Sequence, residues 1–104
     1  MALLLRIYTE EGKLHDGRPL YEAIVLAARG AGLAGATVLR GPMGYGRSHA
    51  IHTAKILDLS AKLPLVIEIV DDEAKVRDFA GALDAYADIG LVTLERVEVL
   101  ERKR

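Results

Sequence analysis

At 104 residues the chain has the length of one small domain. Apolar residues make up 51% and charged residues 28%, the balance of an ordinary globular protein, and no apolar run is long enough for a membrane-spanning helix. A formal net charge of -1 gives no electrostatic argument for nucleic acid or an anionic membrane as the main partner, and the lack of cysteine removes disulfides, thiolate catalysis and cysteine-ligated zinc.

Taken in chain order, "ALLLRIYT" over residues 2–9 reads as a first strand that ends at "EEGK". "HDGRPL" is turn chemistry, with Pro19 suited to the first turn of a helix and Asp16 or Gly17 near its cap. Leu20, Ile24, Ala27, Ala28 and Ala31 then recur at helical spacing, widened by Tyr21 and Val25, until "GAGLAG" stops the helix. "ATVLR" is a short second strand that runs into a glycine-rich segment.

Beyond that segment, "LPLVIEIVDD" is the clearest strand. Asp71 and Asp72 are placed to cap the next helix, in which Val76, Phe79, Ala80, Leu83, Tyr86 and Ala87 form an apolar stripe. "DIG" breaks this helix, and "LVTLERVEVLE" is a last strand before a basic tail. The order is α+β, ferredoxin-like βαββαβ: a four-stranded antiparallel sheet with two helices on one face. In the third strand Leu65, Ile67 and Ile69 alternate with Val66, Glu68 and Val70, so both faces are mostly apolar. Two helices cover one face, and a second copy of the chain is expected to cover the other.

"RGPMGYGRSHAIH" carries the candidate chemistry. No Gly-Lys-Ser/Thr follows its last glycine, so it is not a P-loop, and its spacing is not the dinucleotide fingerprint. One reading is a hairpin extension whose glycines take positive φ. The other rests on Arg47, a guanidinium next to exposed backbone N–H groups, which suits a phosphate. His49 and His52 stand at the spacing of one helical turn and make a weaker case for a divalent metal. Ser48 beside His49 is poor nucleophile geometry. No enzyme is expected.

The blocks "LYEAIV", "GLAGATVLRGPMGYG", "IHTAKILDLSAKLPLVIEIVD" and "GLVTLERVEVL" resemble the uncharacterised PII-like family, over roughly Leu5 to Leu100. That family is similar in fold to the nitrogen-regulatory PII signal proteins. The resemblance implies a homotrimer that binds an adenine nucleotide (AMP, ADP or ATP) at subunit clefts and presents a ligand-sensitive loop to a protein partner. It implies that Gly44, Tyr45, Gly46 and Arg47, in the order of the Gly-aromatic-Gly-Arg motif, form the nucleotide site at the base of a mobile loop over about 41–62. PII proteins also grip phosphate with a glycine- and lysine-containing loop before the last strand, where this chain has "ADIGL", with Gly90 and no lysine. The alternative is a small trimeric metal-responsive or metal-tolerance protein of the same fold, using His49 and His52.

The opening "MALLLRIYTEEG" has no basic n-region or cleavage site, so no signal peptide is expected and a cytoplasmic protein is the default. Asn, Gln, Cys and Trp are all absent; three of these are heat-labile side chains, which points to a thermophilic source.

Overall fold

The alternation of buried leucines in β1 (Ala2–Glu10) sets the architecture: Leu3, Leu5 and Ile7 are almost fully buried on one face of the strand. A computed structural model of the chain describes residues 1–47, 49–53 and 62–102. After β1 come β2 (Leu14–His15), β3 (Arg18–Pro19), α1 (Leu20–Gly30), β4 (Thr37–Arg40), β5 (Met43–Gly44), β6 (His52–Thr53), β7 (Pro64–Asp72), α2 (Glu73–Ala82), a 3₁₀ turn (Leu83–Ala85) and β8 (Val92–Val97). Four strands form one antiparallel sheet in the order β4-β7-β1-β8, and the short pairs β2/β3 and β5/β6 form separate two-stranded ribbons. This is the expected ferredoxin-like arrangement. Among the described residues, no helix is long and apolar enough to cross a membrane.

The core lies between the sheet and the helices. Leu20, Ile24 and Ala28 of α1, spaced at i, i+4 and i+8, and Val76 and Phe79 of α2 pack onto Leu3, Leu5, Ile7, Ile67 and Ile69. Each such side chain contributes about 1.5–3 kcal/mol on burial. Pairing fixes who meets whom: Ile67 lies opposite Ile7 in β1 and Val38 in β4.

The other face of the sheet is more polar than the strand pattern suggests. Leu4, Tyr8, Val66 and Val70 lie there, but Arg6 stands opposite Glu68 at its centre. Arg6 Nε donates to Glu68 Oε2 at 2.9 Å and Nη1 to Glu95 Oε1 at 3.1 Å.

Several local expectations are corrected. Asp16 and Gly17 do not cap α1: both have positive φ (50° and 78°) and join β2 to β3 as a two-residue hairpin, the geometry that Asp-Gly favours. Pro19 is the cap residue itself, one place before the helix. Asp72 occupies the cap position of α2 without a side-chain cap bond. Asp71 instead accepts from the N–H of Asp72 at 2.7 Å and of Ala34 at 2.9 Å, tying the α1–β4 loop to the end of β7. Those two bonds hold its carboxyl below the usual aspartate range.

The stripe of α2 stops early. Gly81 weakens the final turn, the chain tightens to 3₁₀, and Tyr86 is already extended (φ -106°, ψ 127°), its ring 4.6 Å from that of His15. The last strand ends at Val97 rather than Glu101, because Val97 pairs with Ala2, where β1 begins.

Candidate functional site

Antiparallel pairing brings distant loops to one end of the sheet. Glu10, at the end of β1, lies opposite Pro64, where β7 begins; Arg40, at the end of β4, lies opposite Leu65; and Val92, where β8 begins, lies opposite Ile7. The segments after β4, before β7, after β1 and before β8 therefore converge. Between them is a groove of about 1050 Å³ whose lining includes Gly44, Tyr45, Gly46, Arg47 and His52 from one side and Tyr8, Glu10, Lys13, Asp88 and Gly90 from the other.

The predicted quartet is thus together, and its geometry is specific. Gly44 pairs with His52 in the β5/β6 ribbon and runs against Pro64: a Cβ at position 44 would lie 3.1 Å from Pro64 Cγ. The hairpin extension is thus present as the β5/β6 ribbon, but none of Gly41, Gly44 and Gly46 has the positive φ expected of it. The residue with positive φ is His49 (60°), whose N–H donates to Gly46 O at 2.9 Å to close a tight turn. Tyr45 is exposed, and its ring centroid lies 5.8 Å from that of His49. Arg47 is exposed and has no ion-pair partner among the described residues.

His49 and His52 do not share a helical turn, because the chain enters β6 at His52. His52 Nε2 lies 3.0 Å from Glu10 Oε2. Among the described residues no three His, Cys, Asp or Glu side chains converge as a metal site. Ser48 and the stretch 54–61, which includes Ile56, Leu57 and Leu59, lie outside the described residues.

The opposite wall is stitched to the end of β1. Gly90 N–H donates to Tyr8 O at 2.8 Å, Tyr8 N–H to Leu91 O at 2.9 Å and Thr9 Oγ1 to Asp88 O at 3.3 Å. A Cβ at position 90 would lie 3.1 Å from Tyr8 O, so the close approach calls for glycine. Tyr8, Glu10, Lys13 and Asp88 were not singled out by the sequence, where "EEGK" looks only like the end of a strand. The signal that could have found them is the strand order, which places the end of β1 beside both loops.

Glu11 closes the base of the loop from below. Its Oε2 lies 2.9 Å from Arg40 Nη2, its Oε1 accepts from Leu63 N–H at 3.2 Å, and its own N–H donates to Leu63 O at 2.8 Å. One side chain thus holds both ends of the segment from 41 to 62. Glu11→Ala is expected to cost about 1 kcal/mol, which lowers Tm by roughly 4–8 °C in a domain of this size. A thermal melt of the variant checks this, and an unchanged Tm would show that water replaces both bonds at no cost.

The chain matches the DUF190 family, described as "Uncharacterized ACR", over residues 2–99. It is 41% identical over 97 residues to a UPF0166 protein of Aquifex aeolicus, covering 93% of this chain and 91% of that protein. It is 37% identical over 75 residues to the UPF0166 protein MJ1524 of Methanocaldococcus jannaschii, covering 72% and 68%. These relatives come from thermophiles. Among solved structures it is similar to CPII of Thiomonas intermedia K12, solved with ADP and bicarbonate, at a TM-score of 0.67 and 23% identity over 94% of this chain and 87% of that one. That likeness shows a PII-like fold.

Proposed function

The chain belongs to the DUF190 family, and from that premise we propose that it is a PII-like regulatory protein that binds an adenine nucleotide beside Gly44–Arg47. The observation that carries this reading is the groove itself, in which an exposed guanidinium and glycine backbone face the loop before β8 across the end of β1. An exposed arginine in such a groove suits a phosphate, and Tyr45 offers a ring for a flat base. The likeness to a protein solved with ADP supports the same ligand class.

The chain assembles as a homotrimer, with nucleotide held between subunits, and the loop that opens at Gly44–Arg47 answers the ligand and meets a protein partner. Regulation, not catalysis, is the role. The open face of the sheet supports assembly through the exposed Leu39 and Val70 and the partly exposed Val66, with the Arg6–Glu68–Glu95 cluster setting how copies align. Light scattering at micromolar concentration is expected to give the mass of three chains, and calorimetry is expected to show binding of at least one of AMP, ADP and ATP, with bicarbonate present or absent. A monomer overturns the assembly, and no heat from any nucleotide overturns the ligand.

A further inference from the structure

Within the groove the side-chain nitrogen donors are not equivalent. Arg47 has no ion-pair partner among the described residues, whereas Lys13 and His52 are both held by one carboxylate. Glu10 Oε1 lies 3.6 Å from Lys13 Nζ and Glu10 Oε2 lies 3.0 Å from His52 Nε2. The three side chains come from the end of β1, the turn after it and β6, and all three line the groove. His52 is also the residue that pairs with Gly44, so whatever holds its ring holds the β5/β6 ribbon beside the predicted site.

We propose that Glu10 is an internal competitor for phosphate. In the free protein its carboxylate occupies the Lys13 ammonium and the His52 ring nitrogen, and a phosphoryl ligand entering beside Arg47 takes those two donors from it. Lys13 and His52 are then binding residues in their own right, and Glu10 sets the affinity and the anchoring of the ribbon. The proposal deepens the nucleotide reading, but it concerns the phosphoryl end alone. The chemistry favours exchange. A phosphoryl group offers three charged oxygens to two donors that already accept an anion, and a carboxylate left close by repels it. The Lys13–Glu10 contact is the longer and more exposed of the two, at 3.6 Å with Lys13 38% exposed, so breaking it costs little. The His52–Glu10 contact is more shielded, at 21% and 26%, and its loss is offset by the new bonds to phosphate.

Pyrophosphate is the probe, followed by backbone amide signals in the full-length protein as wild type, Glu10→Gln and Lys13→Ala. Glu10→Gln keeps the side-chain shape and removes the charge; it is expected to bind pyrophosphate about tenfold more tightly, and Lys13→Ala about tenfold more weakly. Amide exchange at Thr53 is expected to speed up when pyrophosphate is added to wild type, and to be fast without it in Glu10→Gln. Equal or weaker binding by Glu10→Gln overturns the proposal and gives the ion pairs a purely structural role, as does failure of both wild type and Glu10→Gln to bind. The same variants titrated with ADP keep the two readings apart. Pyrophosphate binding that follows Glu10 while no adenine nucleotide binds leaves this proposal standing and removes the nucleotide; ADP binding that ignores Glu10 does the reverse.

Discussion

Arg47→Ala is expected to weaken ADP binding by about ten- to a hundredfold while leaving the ligand-free melting temperature unchanged. The affinity loss follows from a charge-assisted bond between guanidinium and phosphate, typically worth about 1.5–3 kcal/mol, at about 1.4 kcal/mol per factor of ten. The unchanged melting temperature follows from position. Arg47 is exposed beyond the β5 strand and has no ion pair among the described residues, so its removal uncovers no core and orphans no partner. Arg47→Lys is expected to recover only part of the affinity, because a point charge cannot reproduce the planar fork. Calorimetric titration of the three proteins checks the series. Equal affinity of wild type and Arg47→Ala for AMP, ADP and ATP would move the phosphate away from the loop base.

The opposite profile is expected for Ile67→Ala, a loss of stability without a direct effect on the groove. Ile67 is 0% exposed and lies between Ile7 and Val38 on the helix-covered face. Its truncation leaves a cavity in a sheet whose neighbours on both sides are fixed by backbone pairing and cannot close over it. The cost is about 2–5 kcal/mol. A typical domain has about 5–15 kcal/mol in total, so the variant should be close to unfolding at moderate temperature. Urea melts of wild type and variant at matched protein concentration measure it. A loss below about 1 kcal/mol would mean that the strand interior tolerates repacking.

Much of the secondary structure was legible because its signals are local. The i, i+4, i+8 series of Leu20, Ile24 and Ala28 marks α1, and the alternation of Leu65, Ile67 and Ile69 marks β7. The misread details are those where a local signal met a distant partner. Asp71 reads as a cap, yet it bonds Ala34, 37 positions away. Tyr86 fits a helical stripe, yet its ring rests on His15. The final strand reads on to Glu101, but a strand lasts only as long as its neighbour, and β1 begins at Ala2.

The candidate site divides along the same line. Gly44, Tyr45, Gly46 and Arg47 are contiguous, and their order matches the Gly-aromatic-Gly-Arg motif by which the resemblance points to them. The spacing of His49 and His52 misled, because spacing has a meaning only once the backbone conformation is known, and here a turn and a β-bridge replace the helix.

By itself, then, the sequence determined the alternation of strands and helices and the apolar face that each turns to the core, since periodicity and turn chemistry act over a few residues, while its resemblance to a known motif pointed to one contiguous half of the groove. Only the tertiary structure decided that the order β4-β7-β1-β8 carries Glu10, Lys13 and the loop around Gly90 to that half, and that Glu10 bridges Lys13 and His52. Those partners are separated by up to most of the chain length. Their meeting depends on backbone pairing between strands, to which no short stretch of sequence has access.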